Sequence, residues 1–295
     1  MKSGIINVYK EKGYTSFDVV ARMRGIMKMK KIGHTGTLDP DAEGVLPVCL
    51  GNATRVCAFL TDKRKEYVAE CILGVTTDTQ DMTGTVLSRK PVEVAESAVR
   101  SAVMGFVGPC EQIPPMYSAI KVNGKRLYEI ARRGEEVERQ PRLITIYEIE
   151  ILKIDLPIVR FRVVCSKGTY IRTLCHDIGE ALVCGGAMQS LVRTKVDMFT
   201  IDKAKKLDEI EKLVKEENTE DLITPVDALF LKYPGHTVLK EAERLVSNGN
   251  TLTASSFENP APRDEKIRVY GGDGRFYGIY AKTEQEIYKP LKMFL

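Results

Sequence analysis

Residues 33–54 read GHTGTLDPDAEGVLPVCLGNAT, and this stretch carries the strongest signal for both fold and function in the chain. Gly33, Gly36 and Gly44 permit backbone turns and the close approach of a large ligand. Pro40 biases Asp39 toward an extended or turn conformation, and the apolar run at 45–50 predicts a short buried strand. Asp39 is therefore a candidate catalytic acid at a loop tip, although Asp-Pro alone more often only starts a turn.

The composition indicates a globular chain with a slight excess of positive charge. Its 295 residues, 43% of them hydrophobic, suffice for one large or two ordinary domains with a sizeable core. Lysine and arginine number 44 against 40 acidic residues, which gives a formal charge of +4. This small positive charge slightly favours polyanionic partners but does not identify one.

The cysteine pattern and the amino-terminal sequence both indicate a reducing compartment. The seven cysteines include no CxxC pair, which argues against a disulfide framework and against a zinc ribbon. The first residues, MKSGIINVYKEKG, lack the apolar core of a signal peptide, and no apolar run is long enough to span a bilayer. We expect a soluble, cytoplasmic protein without a membrane segment.

Short β-branched runs alternate irregularly with helical patterns, without a βαβ rhythm. The spacing predicts strands at 5–9, 45–50, 66–73, 147–154 and 158–165, and helices after the Thr15-Ser16 cap, at 169–183 and within 203–220. These elements predict a mixed α+β domain over residues 1–234. Beyond the Tyr233-Pro234-Gly235 breaker, short strands and glycine-rich turns predict a small, mostly β domain over residues 235–295.

The sequence lacks the motifs of several familiar chemistries. The three histidines have no second histidine or carboxylate at the spacing of a zinc protease. There is no GxxxxGK[ST] phosphate loop and no GxSxG elbow. We therefore expect no metal site, and either a reaction that needs no nucleotide or redox cofactor or no reaction at all.

Residues 33–55 resemble the signature of the bacterial tRNA pseudouridine synthase B family. Further blocks are similar to family segments in the same order: INVYKEKGYTSFDVV at 6–20, KEYVAECILGVTTDTQDMTG at 65–84, QIPPMYSAIKVNGKRLYEIARRGEEVERQPR at 112–142 and VVCSKGTYIRTLCHDIGEAL at 163–182. RLVSNGNTL at 244–252 and GRFYGIY at 274–280 resemble the family's PUA domain. The resemblance implies a catalytic domain of the pseudouridine-synthase type with a largely antiparallel sheet, followed by a small PUA-like β-barrel.

The same resemblance implies a reaction and a substrate. The family isomerises a uridine in the T loop of tRNA, at position 55, to pseudouridine after the target base has flipped out of its stack. Atoms and oxidation state balance in this reaction, so no cofactor is expected. The resemblance further implies a stand-alone monomer that binds the T-arm stem-loop and needs no obligatory protein partner.

Three residues match the family's catalytic positions. Asp39 corresponds to the catalytic carboxylate, Arg172 to the arginine that pairs with it, and Tyr67 to the active-site tyrosine. Asp39 is expected to act as a nucleophile on the base or the sugar, or as a base that removes a sugar proton; the sequence does not choose among these routes. Without the resemblance, Arg172 would be interpreted as a surface arginine and Tyr67 as a cross-strand aromatic.

Six further residues are expected to bind the RNA: His34, Tyr170, Leu191, Lys10, Lys31 and Arg132. By resemblance, Leu191 closes the pocket and His34 inserts into the T loop, while Tyr170 is a candidate for pocket support. The basic residues belong to short clusters that flank the matched blocks, as phosphate contacts would.

Two departures from the family and two alternative functions qualify this assignment. Glu11 follows Lys10 where the family often has proline, and Asp197 replaces a common glycine. One alternative is a guide-RNA-dependent synthase that acts with partner proteins. The other is a tRNA-binding folding chaperone in which catalysis is incidental.

Overall fold

A computed structural model describes residues 3–258 and 261–295 of the protein. Its strands alternate with helices along the chain. The strands are β1 (Gly4–Lys10), β2 (Ile32–His34), β3 (Glu43–Leu50), β4 (Lys65–Leu73), β5 (Val75–Thr77), β6 (Val86–Arg89), β7 (Gly108–Gln112), β8 (Lys121–Val122), β9 (Lys125–Arg126), β10 (Arg142–Asp155), β11 (Ile158–Cys165), β12 (Gly186–Val196), β13 (Phe199–Thr200), β14 (Gly235–Thr237), β15 (Lys266–Tyr270), β16 (Phe276–Lys282) and β17 (Tyr288–Met293).

The helices are α1 (Ser16–Met27), α2 (Cys57–Thr61), α3 (Glu96–Met104), α4 (Leu127–Ala131), α5 (Ile171–Ala181), α6 (Leu207–Lys215) and α7 (Glu243–Ser247), with 3-10 turns at Gly51–Val56, Ile201–Lys203, Val226–Phe230, Lys240–Ala242 and Ala254–Ser256. Helix α1 starts at the predicted cap. The Thr15 side chain accepts from the Asp18 amide, and the Asp18 carboxylate accepts from the Thr15 amide. In the described ranges, no helix has both the length and the apolar character needed to cross a membrane.

The largest sheet has the strand order β1-β3-β12-β4-β11-β10-β7, with β2 beside β3 and β13 beside β12. Within the described ranges its ladders are antiparallel except for the short parallel pairing of β3 with β12, where Gly44 faces Arg193. The predicted mixed, largely antiparallel sheet is therefore confirmed. The parallel pairing brings the end of β12 beside the start of β3.

The main apolar core lies between the centre of this sheet and helices α3 and α5. Side chains of β4 alternate between buried and partly buried, as expected for a strand with one face on the core. Leu38 and Ala42, from the loop that carries Asp39, belong to the same apolar cluster as Tyr67 of β4 and Leu191 of β12. The core therefore fixes the Asp39 loop against the central strands.

The C-terminal residues form a second sheet in the order β14-β15-β16-β17. Its own apolar cluster is joined to the larger unit by a group of phenylalanines. The Phe230 ring centroid lies 5.0 Å from that of Phe59, 5.6 Å from that of Phe294 and 6.3 Å from that of Phe276. The C-terminal sheet thus has a core of its own and shares another, and its assignment as a PUA-like barrel stays a prediction.

Candidate active site

A cleft of about 1270 Å³ opens beside the Asp39 loop. Most of the predicted site residues line it: His34, Asp39, Tyr67, Arg132, Tyr170, Arg172 and Leu191. These residues come from separate parts of the chain, namely β2 and the following loop, β4, the region around α4, the start of α5, and β12. Of the predicted residues, Lys10 and Lys31 are not part of the described lining.

Asp39 and Arg172 form an ion pair in this cleft. The Arg172 Nη2 donates a hydrogen bond to Asp39 Oδ1 at 3.2 Å, and Nε lies 2.9 Å from Oδ2. The guanidinium side chain is 5% exposed, whereas the Asp39 side chain is 39% exposed. A two-point contact of this kind fixes the plane of a carboxylate. Asp39 is thus oriented by a buried cation while one side remains open to a ligand.

Three further groups fix the position of Arg172. Its Nη2 donates to the Tyr117 carbonyl at 2.8 Å and its Nη1 to the Thr79 carbonyl at 3.0 Å. The carboxylate of Asp81 lies 3.7 Å from Nε and accepts hydrogen bonds from the Thr79 hydroxyl and the Thr83 amide. Asp81 was not among the predicted residues, although its position in the DTQD stretch of a matched block was a usable signal.

Arg193 anchors both ends of the Asp39 loop, and sequence reasoning missed it. Its side chain is 1% exposed, and it donates hydrogen bonds to the carbonyl oxygens of Val45 (Nε, 2.7 Å), Gly36 (Nη2, 3.2 Å) and Thr37 (Nη1, 3.4 Å). Gly44 has φ +104°, and a Cβ there would lie 2.2 Å from the Arg193 carbonyl oxygen. Only glycine permits this close pairing of the two strands.

Lys10 holds the middle of the same loop, which corrects the expectation that it contacts RNA phosphates. It is fully buried, and its Nζ donates to the carbonyl oxygens of Ala42 (2.6 Å) and Pro40 (2.9 Å). Burial lowers the pKa of Lys10 to about 8, an effect that nearby Asp39 opposes. Because the Lys10 ammonium donates to backbone carbonyls and is buried, it supports the loop and does not face the solvent.

Tyr67 and Leu191 form the apolar side of the cleft. Tyr67 lies on β4 with Arg193 as its cross-strand neighbour on β12, and Leu191 pairs with Ala69. Burial raises the pKa of the Tyr67 hydroxyl, and the Arg193 charge opposes that rise. Both side chains are largely buried yet line the cleft, so a planar base can lie against them.

His34 and Tyr170 lie on other parts of the cleft lining. Burial lowers the pKa of His34, with a further contribution from Arg193, so the ring is neutral at neutral pH and suited to stacking. The backbone of Tyr170 is held by Gln112, whose amide side chain accepts from its N–H at 2.8 Å and donates to its carbonyl at 3.0 Å. Gln112 is thus another supporting residue that was not predicted.

The predicted basic residues occupy different environments. Arg132 lines the cleft, with its guanidinium 5.4 Å from the ring centroid of Tyr128. Lys31 is exposed and donates a hydrogen bond to the Asn52 side chain at 3.0 Å. Their contacts with RNA stay predictions.

The two departures from the family pattern have local structural explanations. The Glu11 carboxylate pairs with the ammonium of Lys206, the residue just before α6, at 3.0 Å, so its charge is compensated. Asp197 has φ +52°, the left-handed region that glycine adopts most readily and that aspartate tolerates better than most residues. Neither residue contacts Asp39 or Arg172.

The chain matches two family models and many named relatives. A model of the N-terminal domain of TruB family pseudouridylate synthases matches residues 24–171, and a model of the tRNA pseudouridylate synthase B C-terminal domain matches residues 172–231. The protein named tRNA pseudouridine synthase B in Lachnoclostridium phytofermentans is 54% identical over 99% of this chain and 100% of its own length. The protein of the same name in Clostridium kluyveri is 44% identical over 99% of both chains.

Solved structures with a similar fold come from larger assemblies. A chain from an H/ACA RNP bound to a substrate RNA containing 2'-deoxyuridine is 27% identical, with a TM-score of 0.72. A chain from a Cbf5-Nop10-Gar1 complex is 29% identical, with a TM-score of 0.73; each match covers 99% of this chain and 85% of the other. Because the family models cover most of the chain and relatives align along its full length, this protein belongs to the TruB family of pseudouridylate synthases.

Proposed function

We propose that this protein converts a uridine of tRNA into pseudouridine, at position 55 of the T loop, without a guide RNA. The observation that carries the proposal is the Asp39 carboxylate, held by the buried Arg172 at the open side of the cleft. Relatives that share the full length of the chain are named tRNA pseudouridine synthase B, which supports tRNA as the substrate. We also propose that the reaction takes place in the cytoplasm, because the relatives are bacterial proteins named for tRNA pseudouridine synthesis.

The geometry supports a division of labour among the cleft residues. Isomerisation breaks the bond between N1 and the sugar, turns the base and joins C5 to the same sugar carbon. C5 then loses its proton and N1 gains one, so the atoms balance. Asp39 acts on the substrate as a nucleophile toward base or sugar, or as the base that removes a sugar proton; each route uses the carboxylate that Arg172 orients. Tyr67 stacks on the flipped base and Leu191 closes the pocket around it.

Binding of the T-arm requires energy to unstack the target base. Flipping costs a few kcal/mol, and stacking on an aromatic ring returns about 1 to 3 kcal/mol. In this proposal His34 inserts into the T loop, Tyr170 supports the pocket, and Arg132 and Lys31 contact phosphates. Residues 235–295 act as a PUA-like RNA-binding domain next to a catalytic domain of residues 1–234, and the protein works as a monomer.

The test is tritium release from C5-labelled uridine in an isolated T-arm stem-loop, with purified protein and no guide RNA. The wild type is expected to release tritium from the T-loop position, and Asp39→Asn to release none while still binding the RNA. Asp41→Asn is the matched control, because Asp41 is an exposed carboxylate two residues along the same loop. No release by the wild type, or full release by Asp39→Asn, would contradict the proposal.

The guide-dependent alternative is favoured by one observation, the fold shared with chains of H/ACA assemblies. Tritium release without guide RNA argues against it. The chaperone alternative predicts that Asp39→Asn, although it does not isomerise uridine, still helps tRNA to fold as well as the wild type does.

A further inference from the structure

A strongly exposed aromatic ring lies at the rim of the cleft and has no assigned role. Phe17 is 66% exposed, more than Tyr147 at 40% or Tyr14 at 38%, and it lines the cleft together with His34 and Asp39. An isolated exposed apolar side chain on a protein surface is ordinary. One that faces a substrate cleft needs to be considered as a binding group.

The first turn of α1 holds this ring in a defined position. Phe17 lies between the two residues of the Thr15-Asp18 capping box, which fixes the local backbone. The adjacent Ser16 hydroxyl accepts from the Leu38 amide at 2.9 Å and donates to the Leu38 carbonyl at 3.3 Å. Because Leu38 directly precedes Asp39, the ring is positioned relative to the candidate catalytic carboxylate.

Phe17 also contacts His34 in a way that leaves aromatic surface free. The two ring centroids are 5.7 Å apart and the planes meet at 84°, an edge-to-face arrangement. Such a contact covers at most one face of one ring, and the high exposure of Phe17 agrees with an open face. The pair forms a corner of two perpendicular rings at the cleft rim.

We propose that Phe17 is a stacking platform for an unpaired nucleobase of the RNA substrate, beside His34. The inference rests on the proposed function, since an RNA loop with splayed bases offers the required ligand. Phenylalanine has no hydrogen-bonding group, so this subsite tolerates any base and favours the larger face of a purine. The accessible charges of the lining favour a nucleic acid over a peptide, because the basic side chains of Lys121, Arg126, Arg132 and Lys167 outnumber the acidic side chains of Asp39 and Asp78.

The test combines ring substitutions with single abasic sites in the T-arm stem-loop. Dissociation constants are measured in the Asp39→Asn background, so that no RNA is converted during the titration. Phe17→Ala and Phe17→Leu are expected to raise Kd about 5- to 20-fold, whereas Phe17→Trp keeps affinity. Leu removes the ring but keeps apolar volume, which separates stacking from simple hydrophobic contact.

The abasic series identifies the stacked base. With one RNA, in which the contacted base is missing, Phe17→Ala is expected to cause no further loss of affinity. Leu231→Ala serves as the surface control, because Leu231 is 65% exposed and outside the described lining of the cleft. The Phe17 variants are expected to unfold at the wild-type temperature, since the ring is mostly in solvent.

Two outcomes would overturn the inference. One is unchanged affinity of Phe17→Ala and Phe17→Leu for an RNA that the parent protein binds and the wild type isomerises. The other is the same loss with every abasic RNA, which would mean that Phe17 stacks on none of the loop bases. A wild type that neither binds nor isomerises the stem-loop would instead contradict the proposed function, and the inference with it.

Discussion

Replacing Arg193 with lysine is expected to slow isomerisation strongly while leaving RNA affinity unchanged. The substitution keeps the positive charge but exchanges a planar group with diverging donors for a single ammonium. The acceptors lie on both sides of Asp39 in the chain, at Val45 after it and at Gly36 and Thr37 before it. One ammonium cannot bind both ends of the loop.

The hydrogen bonds lost in Arg193→Lys determine the expected loss of stability. If lysine keeps the 2.7 Å contact with Val45, it loses the contacts at 3.2 and 3.4 Å. At the lower end of the range for hydrogen bonds to charged groups, each contributes about 1.5 kcal/mol, so the loop loses about 3 kcal/mol. That loss corresponds to a fall in Tm of roughly 6 to 12 °C. A displacement of Asp39 by about 1 Å would cost on the order of 100-fold in rate.

The assay is single-turnover tritium release at saturating stem-loop, with Kd and Tm measured on the same preparations. Arg160→Lys is the matched control, because Arg160 is exposed on β11 and outside the described lining of the cleft. A rate within about threefold of the wild type, a difference below about 1 kcal/mol, would contradict this role of Arg193. The loop would then keep Asp39 in place without its anchor.

Three further outcomes are expected from the contacts of Arg172, the ring of Tyr67 and the buried Lys10. Asp81→Asn removes the charge 3.7 Å from Arg172 and is expected to lower the single-turnover rate about tenfold at unchanged Kd; an unchanged rate would mean that the other contacts of Arg172 suffice. Tyr67→Leu is expected to lose the stacking contribution of about 1 to 3 kcal/mol and Tyr67→Phe to keep it, so equal rates for the two variants would exclude stacking. Burial lowers the pKa of Lys10 from 10.5 to about 8, so the folded state binds this proton less tightly than the unfolded state. The free energy of unfolding should therefore gain roughly 3 kcal/mol from Lys10 as the pH rises from 8 to 10.5, a gain missing in Lys10→Met when both proteins are unfolded in urea across that range.

Local elements of the fold were predictable because local patterns determine them. The cap at Thr15, the hairpin of β10 and β11 and the alternating strand β4 all appear near the predicted positions. The predicted helix within 203–220 is shorter, since α6 ends at Lys215 and Glu217 has φ +57°. The parallel pairing of β3 with β12 was not predicted, because pairing between distant segments leaves no periodic signal in either one.

The site was predictable only where residues carry a family pattern. Asp39, Arg172 and Tyr67 meet in one cleft, as expected from the resemblance. Lys10 and Arg193 show why the remainder was missed: lysine and arginine are almost never fully buried unless paired, so sequence reasoning assigns them to the surface. Here backbone carbonyls take the place of ionic partners. Every residue has a backbone carbonyl, so the sequence does not indicate which one will accept the hydrogen bond.

The apolar cluster that includes Phe230 and Phe294 has a consequence for how the chain folds. Ile5 of β1 and Phe294 belong to that cluster, although almost the whole described chain separates them. Contacts of such long range close large loops and form late. Strand β1 ends the main sheet, and its outer edge forms backbone hydrogen bonds with Lys205 and Thr224, so this edge stays unpaired until residue 224 has been synthesised. During translation, the edge of β1 is therefore open to pairing with another nascent chain until its partners at 205 and 224 have been made.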